Sequence, residues 1–449
     1  MFWKKIKGFL YLFTFFVYLH SFMFDNRKML CSQKQLFLQK PAPQGYICAR
    51  PEKYAVCTVD FAGRSMYNSI QFSGIKFRTK RGWKSNMWTK VFLLAAALAL
   101  IGIIYLVDRF HRFYFLEQLS KKQKRLSWLL AALLVTGILS SGLVFNWYTM
   151  ALIIIHLVLI WLFCDLVGWI IRKYRKKERT FNYSGGAALL LTLMLLTGGW
   201  VSMHHVFRTS YSLRSDKLTP DDHLRAVLLT DTHLSNTLDG DKFTALCERI
   251  QKEEPDLVLL CGDYVDDDSK KKDLIAASRA LGQIQSTYGT YFAYGNHDPF
   301  VDYRSFSDDD LIDALLNNGV TILIDETKEI GDRFYLCGRR DFYDQRKSAQ
   351  DLTTPLDKSK YIIMLDHQPK DFEAEAEAGA DLVLAGHTHG GHVFPAGQLG
   401  VVLGETDRLY GEEKREDTEF IVSSGASGWE IPFKTGCISE YCVIDIAGD

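Results

Sequence analysis

Aspartate, histidine and asparagine recur in five short blocks of the C-terminal half. They are Asp231-Thr232-His233, Gly262-Asp263-Tyr264-Val265-Asp266, Gly295-Asn296-His297-Asp298, Asp366-His367 and Gly386-His387-Thr388-His389-Gly390-Gly391-His392. Imidazole, carboxylate and amide oxygen together form a donor set for borderline divalent ions such as Mn²⁺, Fe and Zn²⁺. The His387/His389 pair lies between glycines, which let a ligand come close to the backbone. Each block has a bland reading by itself: an aspartate at a helix N-cap, an Asn-His-Asp turn, a satisfied loop histidine. Yet every block follows an apolar run. Five coincidences at equivalent positions are harder to sustain than one shared site.

The elements that must position these blocks are short. Strand-like runs cover Leu224–Thr230, Asp256–Cys261, Thr290–Tyr294, Val320–Ile324, Phe334–Cys337, Tyr361–Leu365, Asp381–Leu384, Phe420–Ser423 and Ile438–Ile446. Amphipathic helix-like runs cover Phe243–Glu253, Asp273–Ile284, Asp309–Asn317 and Lys370–Glu377. The alternation predicts an α/β domain, and its strand-rich end predicts antiparallel additions. In such sheets the ligand site lies at the carboxyl ends of the strands, where the five blocks fall.

In this order the blocks resemble the signature of the calcineurin-like metallophosphoesterases: D-x-H, G-D-x-x-D, G-N-H-D/E, a lone His and G-H-x-H, all within residues 224–446. The resemblance implies a four-layer αββα sandwich with two divalent ions (Mn, Fe or Zn) at its loops. It implies that Asp231, His233 and His389 hold one ion, that Asn296, His367 and His387 hold the other, and that Asp263 bridges them. His297 becomes the candidate to protonate the leaving oxygen, with Asp298 orienting it and Asp266 supporting the bridging loop. The implied reaction is hydrolysis of a phosphoester or pyrophosphate, by in-line attack of a hydroxide shared between ions roughly 3.5–4 Å apart. Membrane-linked bacterial members often carry Gln where this chain has His392, which reads either as a substrate contact or as a replacement for that side chain. Trp429 and Glu430, in a turn-rich stretch, are candidates to line the pocket.

The N-terminal half differs in kind. Residues 1–207 carry 28 Lys and Arg against 7 Asp and Glu, and the remainder 25 against 46. The acidic half lacks the positive charge that nucleic-acid phosphates require, so no nucleic-acid partner is expected. Nine cysteines are scattered with no C-x-x-C pair, which argues against a zinc ribbon. Gly8–Phe24 is uncharged and aromatic-rich behind Lys4, Lys5 and Lys7, in the manner of a short anchor. Residues 25–86 show no sustained period and are unassigned. Met87 is an alternative start, which would make residues 1–86 a gene-model extension.

Uncharged stretches at Val91–Val107, Leu126–Cys164 (divided at Asn146-Trp147) and Thr180–Phe207 predict four membrane spans within 87–207. Asp165 finds no ionic companion in the other spans and reads as a helix-end residue reaching the interface near Arg172. Lys and Arg crowd the loops 108–125 and 172–179, which places those loops in the cytoplasm. A linker at 208–222 and a catalytic domain at 223–449, outside the cytoplasm, follow. The expected protein is thus an integral protein of the cell membrane. Its site near a bilayer favours lipid phosphates or lipid-linked pyrophosphates over soluble phosphoesters. The rival reading is a membrane sensor that binds a phosphorylated ligand without turnover. That reading predicts gaps in the ligand set, and the set is complete.

Overall fold

A computed structural model of the chain describes residues 82–175, 183–299 and 304–449, with the side chains of 82–96 outside the described set. The anchor expected at Gly8–Phe24 and the remainder of 1–81 lie outside it. By internal contacts the chain divides into Met1–Ser85 and Asn86–Asp449. Apart from the first turn of α1, everything below concerns the second unit.

Six helices come first: α1 (Gly82–His111), α2 (Tyr114–Lys122), α3 (Lys124–Leu139), α4 (Ser141–Val144), α5 (Trp147–Arg175) and α6 (Tyr183–His204). Helix α1 covers the first expected span. Lys124–Val144, Trp147–Tyr174 and Tyr183–His204 are long and apolar enough to cross a membrane, and large apolar side chains along them, such as Leu133, Ile155 and Leu193, face outward. The segment read as a basic loop at 108–125 instead contains α2, whose Leu116 is buried; Ser127 Oγ donates to the Leu116 carbonyl at 2.8 Å.

Asp165 is also different from expectation. It accepts from Tyr105 Oη at 2.9 Å and Ser184 Oγ at 2.7 Å, and pairs with Arg109 Nε at 2.8 Å. A carboxylate within an apolar bundle is costly without partners. Here it finds them on two other helices, so it clamps α1, α5 and α6 together.

The domain beyond α6 has twelve strands: β1 (Val206–Ser215), β2 (His223–Leu229), β3 (Leu257–Cys261), β4 (Thr290–Ala293), β5 (Val320–Leu323), β6 (Glu326–Ile330), β7 (Phe334–Gly338), β8 (Tyr361–Leu365), β9 (Leu382–Ala385), β10 (Gly411–Arg415), β11 (Thr418–Val422) and β12 (Ser439–Gly448). One sheet runs β1-β12-β2-β3-β4-β5 and the other β10-β11-β9-β8-β7-β6. In the first, β2 through β5 are parallel and β12 antiparallel to β2; in the second, β7, β8, β9 and β11 are parallel. Strands buried on both faces, such as β3, β8 and β9, carry continuous apolar sequence, as parallel strands do.

Three cores separate four layers. Inward side chains of both sheets (Leu228, Leu259, Ile363, Leu384 and Ile444 among them) form the middle core. Phe243, Leu246 and Ile250 of α7 (Gly240–Gln251), with α8 (Lys271–Leu281) and α9 (Asp308–Leu316), cover the first sheet through Val227, Leu260 and Phe292. Helices α10 (Ala349–Thr353) and α11 (Phe372–Glu377) cover the second through Ile362, Met364 and Phe420. This is the αββα sandwich.

One expected linker is structure instead. Residues 206–215 form β1, paired in parallel with β12 along its whole length. Arg208, Ser210 and Ser212 point to solvent while Phe207, Thr209 and Tyr211 are half-buried, the alternation of a strand with one wet face.

Candidate metal centre

The loops after β2, β3, β4, β8 and β9 meet at one end of the sandwich, and backbone hydrogen bonds tie them together. Asp231 N–H donates to the Gly262 carbonyl at 3.0 Å, His233 N–H to Asp263 at 3.1 Å, and Gly386 N–H to His367 at 3.0 Å. The fit leaves no room for side chains at some glycines: a Cβ at Gly386 would collide with Asp231 Oδ2, and one at Gly295 with Asp263 Oδ1. Asp231, His233, Asp263, His387, His389 and His392 all take positive φ, between 34° and 68°. For residues with a Cβ that region is sparsely populated and costs about 1–3 kcal/mol each, so the surrounding packing must hold it.

Two groups of donors result. Ligand atoms of Asp231, His233 and His389 lie within 4.8 Å of one another, as do those of Asp263, His367 and His387. Asp263 also approaches the first group, with His233 Nε2 at 3.7 Å from its Oδ2. His367 Nε2 lies 3.1 Å from the same oxygen, off hydrogen-bond geometry. Buried atoms with no hydrogen-bond partner among the described residues concentrate here: Asn296 Oδ1, His367 Nε2, His389 Nδ1 and His233 Nε2. Such atoms are expensive to bury. A divalent ion is the partner their chemistry fits, being borderline in softness and bound by imidazole, carboxylate and amide oxygen.

The electrostatics are those of carboxylates and imidazoles confined together. Burial opposes charge on Asp263, but His367, His233 and His297 outweigh it and hold the carboxyl well below its usual range. Burial likewise opposes charge on His233 and His367, and the neighbouring carboxylates outweigh it, raising both imidazoles. Burial and the adjacent His367 push His387 down to about 3, and burial with His233 nearby lowers His389.

Supporting groups fix the donors. His367 Nδ1 lies 2.8 Å from the Cys261 carbonyl, which sets that nitrogen as the N–H and leaves Nε2 as the donor atom. Asp266, expected only to support a loop, places Oδ2 3.2 Å from His233 Nδ1. Asp298, expected to orient His297, also serves the backbone. Its two oxygens accept N–H groups of Asp263 (2.8 Å), Gly295 (2.7 Å) and Val265 (3.1 Å), so it joins the β3 and β4 loops. The reason is local: three N–H groups in a buried turn need acceptors, and this carboxylate is within reach. His297 is half-buried at the edge of the centre, its ring centroid 5.2 Å from His233 and 5.8 Å from Trp429. His392 Nε2 is 3.2 Å from the Ile431 carbonyl, and its own carbonyl accepts from Thr435 and Gly436 N–H, so it staples two loops.

Sequence reasoning missed how the stretch from Trp429 to Thr435 joins this centre to the helices. Asn146 Nδ2 donates to the Glu430 carbonyl at 2.6 Å and Lys434 N–H to the Gly199 carbonyl at 2.9 Å. Thr435 Oγ1 lies 3.1 Å from His156 Nε2 of α5. Trp429 packs on Tyr148 at 6.1 Å, and Phe433 on Trp200 at 5.5 Å. The only hint in the sequence was Trp429 and Glu430 in a turn-rich stretch, read there as residues to line the pocket.

Comparison with known proteins agrees with this geometry. Residues 224–391 match the family described as calcineurin-like phosphoesterase. An uncharacterized metallophosphoesterase of Campylobacter jejuni is 30% identical over 299 residues, covering 63% of this chain and 76% of the relative. One from Helicobacter pylori is 35% identical over 232 residues, 50% of this chain and 60% of the relative, so the chain spans only part of that protein's length. A zebrafish transmembrane protein with metallophosphoesterase domain is 31% identical over 235 residues, 48% of this chain and 52% of the relative. With the signature filled block by block and its donors gathered at one end of the sandwich, the chain belongs to the calcineurin-like metallophosphoesterases.

Proposed function

We propose that this protein is a membrane-anchored, two-metal phosphoesterase that hydrolyses phosphoester or pyrophosphate bonds presented at a bilayer surface. The observation that carries the reading is the pair of donor triads with Asp263 set between them and unpartnered buried atoms on Asn296, His233, His367 and His389. Asp231, His233 and His389 would hold one ion and Asn296, His367 and His387 the other, with Asp263 within reach of both. When bound, the two ions supply a water of lowered pKa and offset charge on the phosphoryl oxygens.

The chain's own residues do the rest. The Cys261 carbonyl and Asp266 fix the tautomers of His367 and His233. Asp298 holds the loops in register, and His297, beside Trp429 at the rim, gives a proton to the leaving oxygen. Helices α1, α3, α5 and α6 anchor the domain in the cell membrane. Arg172 and Lys173 lie near the C-terminal end of α5, whereas Asn146 and Tyr148, which meet the Trp429–Thr435 stretch, lie at its N-terminal end; this supports an extracytoplasmic site.

The test is turnover of bis(p-nitrophenyl) phosphate by the full-length protein in detergent with Mn²⁺. The expected result is metal-dependent hydrolysis that Asn296→Ala or His297→Ala removes. No metal-dependent hydrolysis, or hydrolysis indifferent to both substitutions, overturns the reading.

A further inference from the structure

The segment after the glycines of the centre, Val393 to Leu403, contains no charged residue. Its large side chains turn outward: Phe394, Leu399, Val402 and Leu403 are 54, 56, 79 and 73% exposed. In the rest of the described catalytic domain, exposed large apolar residues are few and scattered, namely Ile275, Leu316, Phe342, Tyr343 and Trp429. A contiguous exposed apolar patch marks a contact with something apolar.

The segment is held in place. Phe394 N–H donates to Thr435 Oγ1 at 3.1 Å, and a Cβ at Gly397 would collide with the Gly391 backbone, so α12 (Ala396–Val402) sits directly on the catalytic turn. Its height is readable from the same bonds. Thr435 reaches His156, nine residues beyond Trp147, the first residue of α5. At 1.5 Å per residue that is about 13 Å along the helix. Phe394 is therefore held level with the body of α5, where Ile155 and Leu159 are 48 and 45% exposed, and not above its end.

We infer that Val393–Leu403 is a strap that sinks into the adjacent membrane leaflet and takes the acyl portion of a lipid whose phosphate reaches the centre at His387–Gly391. This rests on the phosphoesterase reading and adds to it the substrate class: phosphates carried on lipids, drawn sideways from the bilayer. Continuity with the apolar faces of α5 and α6 identifies the occupant as lipid, since a soluble protein partner would have to compete with the bilayer for a surface at that height.

Two measurements test it. In the first, full-length protein in phosphatidylcholine nanodiscs carrying a diazirine-labelled acyl chain is illuminated and its adducts are mapped by mass spectrometry. Adducts on Val393–Leu403 are expected; adducts confined to the helices overturn the strap whatever the activity. In the second, Val402→Asp and Leu403→Asp, at exposed positions on which the fold does not depend, are assayed on bis(p-nitrophenyl) phosphate and on vesicles of phosphatidylcholine with phosphatidic acid or phosphatidylglycerol. Lipid turnover should fall about tenfold or more relative to turnover of the soluble diester by the same variant. Equal effects on both, or a wild type that cleaves the soluble diester and neither lipid, overturn the lipid assignment. A wild type inactive on every substrate defeats the phosphoesterase reading instead, and the photolabelling still decides the strap.

Discussion

Two clusters of buried charge lie side by side in this domain, and they are built on opposite plans. Behind His367, Arg339 contacts Asp366 at 2.7 Å, Glu375 at 3.0 Å and Asp371 at 3.2 Å, while Arg346 bonds Asp366 at 2.9 Å and reaches Asp371 as well. That cluster contains its own cations. In the metal centre, the described ion pairs of Asp231 and Asp263 are with histidines alone, and several imidazole nitrogens have no partner. A closed network stabilises a fold; an incomplete one of comparable burial is a place where something binds. The difference separates residues that hold the sandwich together from residues that act.

The sharpest way to break the comparison is to remove one charge from each cluster. Asp263→Asn takes away the shared carboxylate. Mn²⁺-dependent turnover should fall by about 10³-fold or more, with bound metal falling by at least one ion per chain. The metal-free protein should lose less stability than Arg339→Met does, because the imidazoles that face Asp263 can release their protons once the carboxylate is gone, whereas a buried carboxylate deprived of arginine has no such relief. Arg339→Met should do the reverse. It leaves buried Asp366 with Arg346 alone and buried Glu375 with no cation among the described residues, and the metal-free protein should lose about 3–5 kcal/mol against urea. If Asp263→Asn destabilises the metal-free protein as much as Arg339→Met, the two clusters are not different in kind.

Glu375 sharpens the comparison through pH. Burial and the adjacent Asp366 raise its carboxyl well above the usual range, with Arg339 opposing. The folded state therefore keeps a proton on Glu375 that the unfolded state releases at about pH 4.3. Between the unfolded and the raised folded pKa, the folded state binds more protons, so this group's contribution to stability falls as pH rises. Glu375→Gln, which mimics the protonated acid, should flatten that decline. Urea midpoints of the two proteins from pH 4.5 upward should diverge steadily, by about 1.4 kcal/mol for each pH unit within the window. Parallel curves would mean that Glu375 is ionised in the fold and that the network is more negative than described.

How much of this was legible in sequence follows from which interactions are local. The five blocks stood out because each ends a strand whose apolar run is unmistakable, as in Leu257–Cys261 before Asp263 and Tyr361–Leu365 before His367. The edge strands did not: β6 (ETKEI) and β10 (GEEKR) are charged because an edge strand meets water, and charge discourages a further strand from pairing there. Strand β1, with Arg208 and Arg214, looked like a linker for the same reason. The partners of Asp165 were hidden by distance, since Tyr105 is 60 residues away in sequence. The work of Asp298 was hidden because it serves backbone N–H groups, which no motif records.

The seam between helices and domain should yield the smallest effect, and Asn146 isolates it. Its Oδ1 accepts Thr149 N–H at 2.8 Å at the start of α5, while its Nδ2 donates to the Glu430 carbonyl at 2.6 Å. Asn146→Asp keeps an acceptor suited to a helix N-cap but has no N–H to give, so it cuts only the bond to the domain. Asn146→Ala cuts both. Glu430 follows Trp429, whose ring lies against His297, so the cut bond should alter how that histidine is placed. For one hydrogen bond of typical strength, kcat on a soluble diester should drop by about two- to tenfold in both variants. Thermal stability should fall further in Asn146→Ala, by the loss of the cap. Were kcat to fall in Asn146→Ala and not in Asn146→Asp, the helix start would be what matters and the Glu430 bond incidental. Equal kcat losses with unequal stabilities would instead locate the coupling at the seam, and the membrane helices would then be part of how the site is aligned.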